Sequence, residues 1–179
     1  MPVEMIGWIA PRVSSELIPP SGPPFDANVI AETARIHERV GFDRVLIGYF
    51  SDAPDGFLVG AHAASVTERL GFLLAHRPGF VAPPLAARKL ATLDQLSGGR
   101  LAVHIIAGGS DAEQAKDADW TDHDARYRRV AEYLALLVGR QVRRADHGYA
   151  PSGPVGARHD EPAPEGWQPE PRACAPARP

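Results

Sequence analysis

The sequence predicts an α/β fold with a parallel sheet, and three observations support this prediction. Four short apolar segments alternate along the chain with four longer segments of helical periodicity. The apolar segments are continuous runs, which is typical of parallel strands that are buried on both faces. Segments rich in glycine, proline or polar residues separate the elements, as they do in repeated strand–helix units. Such a repeat builds either an open doubly wound sheet or a (βα)8 barrel, and the pattern leaves both open.

Each predicted element has its own local signals. Asp26 is suited to cap the first helix, and Gly41 is suited to end it. Pro83 and Pro84 fit the first turn of the third helix, and Gly98 follows its end. The polar stretch after the fourth strand is predicted to be a loop. In chain order, the predicted strands cover residues 3–9, 44–48, 71–76 and 101–106, and the predicted helices cover 27–40, 55–69, 83–96 and the segment from about 122 onwards.

Composition and charge exclude several classes of function. The chain has 179 residues, a formal net charge of −3 and a pI near 6.1, so neither nucleic acid nor an anionic membrane is an expected partner. With Cys174 as its only cysteine, the chain has no disulfide framework or cysteine-rich metal site, and no metal site is predicted. Its start does not resemble a signal peptide, and no apolar run is long enough to span a membrane. We therefore expect a cytoplasmic protein.

Four local sequences around the third and fourth predicted strands are distinctive. They are His76–Phe80 (HRPGF), Leu90–Arg100 (LATLDQLSGGR), Gly108–Asp111 (GGSD) and His123–Tyr127 (HDARY). In this order and spacing they resemble the bacterial luciferase-like flavin-dependent monooxygenases, most closely their alkanesulfonate monooxygenase branch. The resemblance covers about residues 5–137.

The resemblance implies both a fold and a reaction. The fold would be the amino-terminal half of a (βα)8 TIM barrel with parallel strands. The enzyme would bind reduced FMN supplied by a separate flavin reductase, react with O2, and hydroxylate or cleave a small organic substrate, often a sulfonate. The full-length form would be a homo-oligomer. Where the sulfonate enzymes carry a His after the first strand and a Cys after the second, this chain has Val13 and Ala53. Their substrate is therefore not carried over, and no catalytic residue is assigned.

Four residues are predicted to bind the cofactor because they match flavin-contacting positions in these relatives: Asp52, Ala107, His123 and Tyr127. His123 and Tyr127 lie four residues apart on a helix, near an amino-terminal end whose free N–H groups and partial positive charge suit an anionic ligand. Their alternative roles are a local cap for His123 and a core aromatic for Tyr127. Asp52 has a turn-forming alternative, and Ala107 stands where close relatives often carry a Thr. Helical spacing places Tyr127 on one face with Val130, Leu134 and Leu137.

Other residues near the strand ends have two possible roles each. Arg77 either pairs with a substrate anion or is solvated. His104 lies inside the fourth strand and is predicted to pack in the barrel wall with its ring nitrogens hydrogen-bonded. Trp8 and Phe80 either line the pocket or belong to the core.

The carboxyl-terminal part of the chain has a different composition. Residues 1–138 form the predicted half-barrel, whereas residues 139–179 contain no Leu, Ile, Phe or Met. Such a segment buries too little apolar surface to offset its ordering entropy, so it is either a disordered tail or an out-of-frame translation. We favour the frameshift because the resemblance stops inside a helix, and we expect another reading frame to encode further strand–helix units.

The sequence is also compatible with two other functions. One is a non-catalytic flavin-binding or barrel-assembly fragment, because a half-barrel has open strand edges that pair with other chains. The other is an oxidoreductase that uses a deazaflavin, since those enzymes resemble this group in barrel and strand-end layout.

Overall fold

A computed structural model of the chain describes residues 3–13 and 17–145, which contain four strands and five helices. In chain order the elements are β1 (Ile6–Ile9), α1 (Ala27–Val40), β2 (Arg44–Ile47), α2 (Gly56–Ser65), β3 (Gly71–His76), α3 (Pro83–Leu96), β4 (Leu101–Ile105), α4 (Asp111–Lys116) and α5 (His123–Ala145).

The order of the strands decides between the two folds that the sequence allowed. The sheet has the order β1-β2-β3-β4, and every neighbouring pair is parallel. Consecutive strands are neighbours in a (βα)8 barrel, whereas a flavodoxin-like sheet has the order 2-1-3-4-5. Helices α1, α2, α3 and α5 pack on one another in succession. The fold is the amino-terminal part of a (βα)8 barrel, as predicted.

The hydrophobic core lies between the sheet and this row of helices. Alternate strand residues such as Val45, Ile47, Phe72 and Leu74 are at most 2% exposed and pack against helical residues such as Leu90. The helices therefore cover one face of the sheet.

The other face corresponds to the interior of a barrel. Trp8, Leu46, Leu73 and Ala102 lie side by side on it, one from each strand. None of the four is buried, and Trp8 is 44% exposed. In the described part of the chain, the strands are therefore more deeply buried on the helix side than on this face.

Helix α1 begins and ends where the sequence predicts. The Asp26 carboxylate accepts hydrogen bonds from the backbone N–H groups of Asn28 and Val29 at 2.9 and 3.3 Å. Gly41 follows the helix with φ 90°, a left-handed conformation that costs glycine little.

Helix α2 ends at Ser65, four residues earlier than predicted. The backbone N–H groups of Glu68, Arg69 and Leu70 donate instead to one carboxylate oxygen of Glu38, on helix α1. A side chain from another element thus takes the donors that a longer helix would have used.

Helix α4 lies in the stretch that was predicted to be a loop, so that prediction is wrong. Ser110 caps it by accepting a hydrogen bond from the backbone N–H of Glu113. The helix has six residues and no apolar periodicity, which is the signal used to predict the others. Ser110 and Glu113 do have the spacing of a capping box, and that signal was available in the sequence.

Helix α5 packs on the core through part of the face that its aliphatic residues predict. Leu137 is buried and Leu134 packs against the core, but Tyr133 is buried as well and Tyr127 is 57% exposed. Tyr127 is therefore not a core aromatic. The helix continues to Ala145, beyond the predicted boundary at residue 138. The rest of the predicted tail lies outside the described residues.

His104 is exposed rather than packed in a barrel wall, which corrects the prediction. It lies beside Ala75 of β3. Strand β4 is an edge strand in the described part of the chain, so no further strand covers its far side.

Candidate active site

The carboxyl end of β1, the segment after it and the loop after β2 border a cavity of about 180 Å³. Trp8 from β1 and Phe50 from the loop after β2 meet there edge to face, with 6.1 Å between their ring centroids. Gly48 makes room for this pair, because a Cβ atom at that position would lie 2.4 Å from the Trp8 indole. Ten residues line the cavity: Trp8, Ala10, Pro11, Arg12, Pro20, Pro24, Phe50, Asp52, Ala53 and Pro54.

Arg77, directly after β3, is buried and paired, which corrects both roles considered for it. The side chain is 3% exposed, and Nη2 lies 2.6 Å from Oε2 of Glu113. Nη1 lies 3.4 Å from a carboxylate oxygen of Asp117, and the guanidinium lies 4.3 Å from the centre of the Tyr49 ring. Arg77 is therefore neither solvated nor free to bind a substrate anion.

The loop after β2 is bound to helix α4 through two consecutive residues. The backbone N–H of Ser51 donates to the Glu113 carboxylate at 2.8 Å, and its hydroxyl lies 2.7 Å from the Asp117 carboxylate. Asp52, a predicted cofactor ligand, forms an ion pair with Lys116 at 2.9 Å. We call Tyr49, Ser51, Arg77, Glu113 and Asp117 the Arg77 cluster.

Ionisation in and beside this cluster follows from its hydrogen bonds. Burial raises the pKa of the Glu113 carboxyl, but the hydrogen bonds from Arg77 and Ser51 outweigh it, and the net pKa is lowered. The hydrogen bond from Lys116 lowers the pKa of Asp52. Burial, and then the Asp117 carboxylate, raise the pKa of the Tyr49 hydroxyl to about 12. Glu113 is therefore ionised and Tyr49 neutral at neutral pH.

His123 and Tyr127 lie together on the first two turns of helix α5. Their ring centroids are 4.9 Å apart, and both side chains are more than half exposed. His123 also contacts the Asp124 carboxylate at 3.0 Å. Ala107, the fourth predicted cofactor residue, lies two positions after the end of β4 and is half-buried. The structure thus brings His123 and Tyr127 into contact, while Asp52 is bound to helix α4.

The two aromatic residues for which the sequence left two roles open, Trp8 and Phe80, lie in different surroundings. Trp8 lines the cavity. Phe80 instead stacks on Tyr49, with ring centroids 6.2 Å apart, and lies against the guanidinium groups of Arg77 and Arg129. Phe80 therefore packs behind the Arg77 cluster.

Comparison with known proteins identifies the family. The family model described as luciferase-like monooxygenase matches residues 4–146. The chain belongs to this family. The luciferase-like monooxygenases are oxidoreductases, and the predicted resemblance is confirmed at the level of the family.

Solved structures agree on the fold. EDTA monooxygenase from Chelativorans sp. BNC1 superposes with a TM-score of 0.62 at 19% identity, over 76% of this chain and 36% of its own. The oxygenating constituent of 3,6-diketocamphane monooxygenase from Pseudomonas putida, in complex with FMN, gives 0.62 at 20% identity, over 76% and 39%. The coenzyme F420-dependent tetrahydromethanopterin reductase from Methanopyrus kandleri gives 0.54 at 22% identity, over 65% and 30%. The chain thus spans less than two fifths of the length of these relatives.

Reasoning from the sequence missed Ser51, Glu113 and Asp117. Glu113 and Asp117 are four residues apart, so they share one face of a helix. That spacing becomes visible once the capping box at Ser110 is recognised. Ser51 had no comparable signal, because it acts through residues 62 to 66 positions further along the chain.

The described residues contain neither a metal-binding cluster nor a helix that could span a membrane. That part of the chain holds no group of three or more His, Cys, Asp or Glu side chains placed to bind a metal ion. None of the helices there is long and apolar enough to cross a membrane.

Proposed function

We propose that this chain forms the amino-terminal part of a flavin-dependent monooxygenase and contributes one side of its flavin site. The observation that carries this proposal is the family match, which covers the four strands and the loops at their carboxyl ends. A second half of similar size would close the sheet into a barrel, and the loops at the carboxyl ends of the strands form the active site of such barrels.

The residues at this face fit a flavin. The Trp8–Phe50 pair and the neighbouring cavity provide flat apolar surface for a ring system. The exposed rings of His123 and Tyr127 are available for stacking and hydrogen bonds. Asp52 binds the flavin in place of Lys116, its partner in an exposed ion pair. Little stability is lost when this ion pair breaks, because exposed ion pairs contribute little. Ala107 offers only backbone and van der Waals contact.

The cofactor that we propose is reduced FMN, which supplies the electrons for activating O2. A relative with the same fold is known in complex with FMN. A flavin reductase as electron donor, a homo-oligomeric full-length form and a cytoplasmic location complete the proposal. The substrate is a small organic molecule, and a sulfonate is the class that the alkanesulfonate branch suggests. Within the described half, Arg77 does not serve a sulfonate, because two carboxylates already occupy its guanidinium.

A deazaflavin-dependent oxidoreductase is the second candidate. The observation in its favour is the similarity to a coenzyme F420-dependent reductase, which lies at the same low level of identity as the monooxygenases.

The experiment is an anaerobic titration of the full-length protein with reduced FMN, and in parallel with reduced F420. Tyr127→Ala is expected to weaken FMN binding by about five- to a hundredfold, since a lost ring contact and hydrogen bond cost about 1–3 kcal/mol. His123→Ala is expected to weaken FMN binding less. Tyr127→Phe removes only the hydroxyl, so it distinguishes the contribution of the hydroxyl from that of the ring. Leu136→Ala is the matched control, because Leu136 lies on the same helix with the same exposed fraction of 57%.

The outcomes separate the candidates. Preferential binding of F420 would replace the first proposal by the second. If Tyr127→Ala, His123→Ala and Leu136→Ala all bind FMN as the parent does, the assigned contacts are wrong.

A further inference from the structure

We propose that Arg77 is a positioning residue for the active site: it holds helix α4 against the loop after β2 and thereby fixes one wall of the strand-end cavity. The consequence for cofactor binding rests on the proposed function. The effect on the wall itself does not.

Arg77 joins three segments that are distant in the sequence. It follows β3, and its two terminal nitrogens pair with Glu113 of helix α4 and with Asp117, which caps the carboxyl end of that helix. Its Nη1 also lies 3.3 Å from the Ser51 hydroxyl. Its guanidinium lies against the Tyr49 ring. Because Arg77 is only 3% exposed, water does not replace these partners when one is removed.

The contacts of Ser51 carry this constraint to the cavity. Ser51 donates both its backbone N–H and its hydroxyl to the Glu113 carboxylate of helix α4, each at 2.8 Å. The residues on either side of it, Phe50 and Asp52, line the cavity, as do Ala53 and Pro54. Trp8 lines the same cavity and packs edge to face on Phe50, with 6.1 Å between the ring centroids. A shift of helix α4 therefore moves the loop that packs against Trp8.

Arg100 offers a matched control at the other end of the sheet. Its guanidinium donates to the carbonyl oxygens of Ala64, Thr67 and Leu70 at 2.9–3.1 Å, and it precedes β4. It borders no residue of the cavity lining. Loss of Arg100 therefore removes a comparable set of guanidinium hydrogen bonds without touching the cavity wall.

The experiment uses fluorescence of Trp8 in the full-length protein, in which Trp120 and every other tryptophan except Trp8 are replaced by phenylalanine. Arg77→Met, Arg77→Lys and Arg100→Met are introduced into this background. Acrylamide quenching, thermal melting and binding of reduced FMN are measured well below the melting temperature. If Arg77→Met does not fold, Ser51→Ala serves in its place, because it loses the hydroxyl contacts and retains the backbone N–H bond.

We expect Arg77→Met to raise the quenching constant of Trp8 about twofold and to weaken FMN binding about tenfold, which is the loss of one well-placed contact. Arg77→Lys restores part of both, since it retains the charge but not the fork of donors. Arg100→Met lowers the melting temperature while leaving both values at the parent level.

The positioning role of Arg77 and the proposed function can be contradicted by different results. If Arg77→Met, or Ser51→Ala, melts earlier yet keeps parental quenching of Trp8, Arg77 is only structural and the inference is wrong. If the parent does not bind FMN while Arg77→Met still raises the quenching, the proposed function fails and the positioning role stands.

Discussion

At the scale of single residues, the end of β3 shows two ways of burying a basic side chain. His76 and Arg77 are neighbours, and both are almost completely buried. His76 contacts the Tyr133 hydroxyl at 2.8 Å through Nε2, and that hydroxyl donates to the carbonyl oxygen of Val81. Burial, together with the nearby positive charge of Lys89, lowers the pKa of His76 to about 4. His76 is thus buried neutral, whereas Arg77 is buried charged with two carboxylates.

The neutral state of His76 predicts a loss of stability in acid. The unfolded chain takes up a proton at His76 below about pH 6.5, whereas the folded chain does not until about pH 4. Protonation therefore favours the unfolded state, and the free energy of unfolding falls as the pH is lowered between these values. The expected loss is about 3–4 kcal/mol, at about 1.4 kcal/mol per pKa unit. Urea denaturation at a series of pH values measures it.

His76→Phe provides the comparison for this prediction. The carboxylates that titrate in the same range are common to both proteins, so the difference between the two pH profiles isolates His76. Parallel profiles would mean that His76 is not kept neutral by the fold.

At the scale of elements, side chains from distant segments hold a short helix and a turn in place. Helix α4 has six residues, too few to be stable alone, and the Arg77 cluster holds it in place. Helix α1 has fourteen residues and provides a contact of the same kind, because Glu38 accepts three backbone N–H groups from the turn before β3. Burial raises the pKa of the Glu38 carboxyl, but these three donors outweigh it and lower the pKa overall.

Glu38→Ala is expected to lower the free energy of unfolding by about 1–2 kcal/mol, since it leaves donors of a partly buried turn without their acceptor. Water replaces part of what is lost, because the turn is not fully enclosed. Glu32→Ala is the control: Glu32 is an exposed glutamate on the same helix, and its substitution should change stability by less than about 0.5 kcal/mol. Equal effects of the two substitutions in urea denaturation would show that the three hydrogen bonds do not stabilise the fold.

At the scale of the whole molecule, the described sheet has two free edges and one uncovered face. Strands β1 and β4 each pair on one side only within the part of the chain that the structure describes. Ile6 and Trp8 on β1 are about half exposed on the face that a closed barrel would bury, at 48% and 44%. Open edges and exposed apolar surface favour association with other chains.

The 179-residue chain, produced by itself, is therefore expected to be oligomeric, molten or insoluble. Size-exclusion chromatography with light scattering and a thermal melt test this expectation. Ile6→Lys should reduce the association, because a charge on an exposed edge strand opposes pairing. A monomeric parent with a sharp cooperative melt would contradict it.

The elements predicted from the sequence were correct where their signals are local. Asp26 and Gly41 bound α1, Pro83 begins α3, and the apolar run from Gly71 to His76 forms β3 at its predicted limits. The family was also recognisable, because the motif around Leu90–Arg100 is continuous in the chain. The predicted contacts of His123, Tyr127, Asp52 and Ala107 with a flavin stay predictions.

Only the tertiary structure decided the properties that depend on segments distant in the sequence. The strand order that selects a barrel is set by pairing between elements, not by their patterns. Arg77 was predicted either to pair with a substrate anion or to be solvated, because its partners Glu113 and Asp117 lie 36 and 40 positions away in the sequence. The exposure of His104 and Tyr127 likewise depends on which neighbours cover β4 and α5. Periodicity records a residue's own helix or strand, whereas burial and ionisation depend on what packs against it.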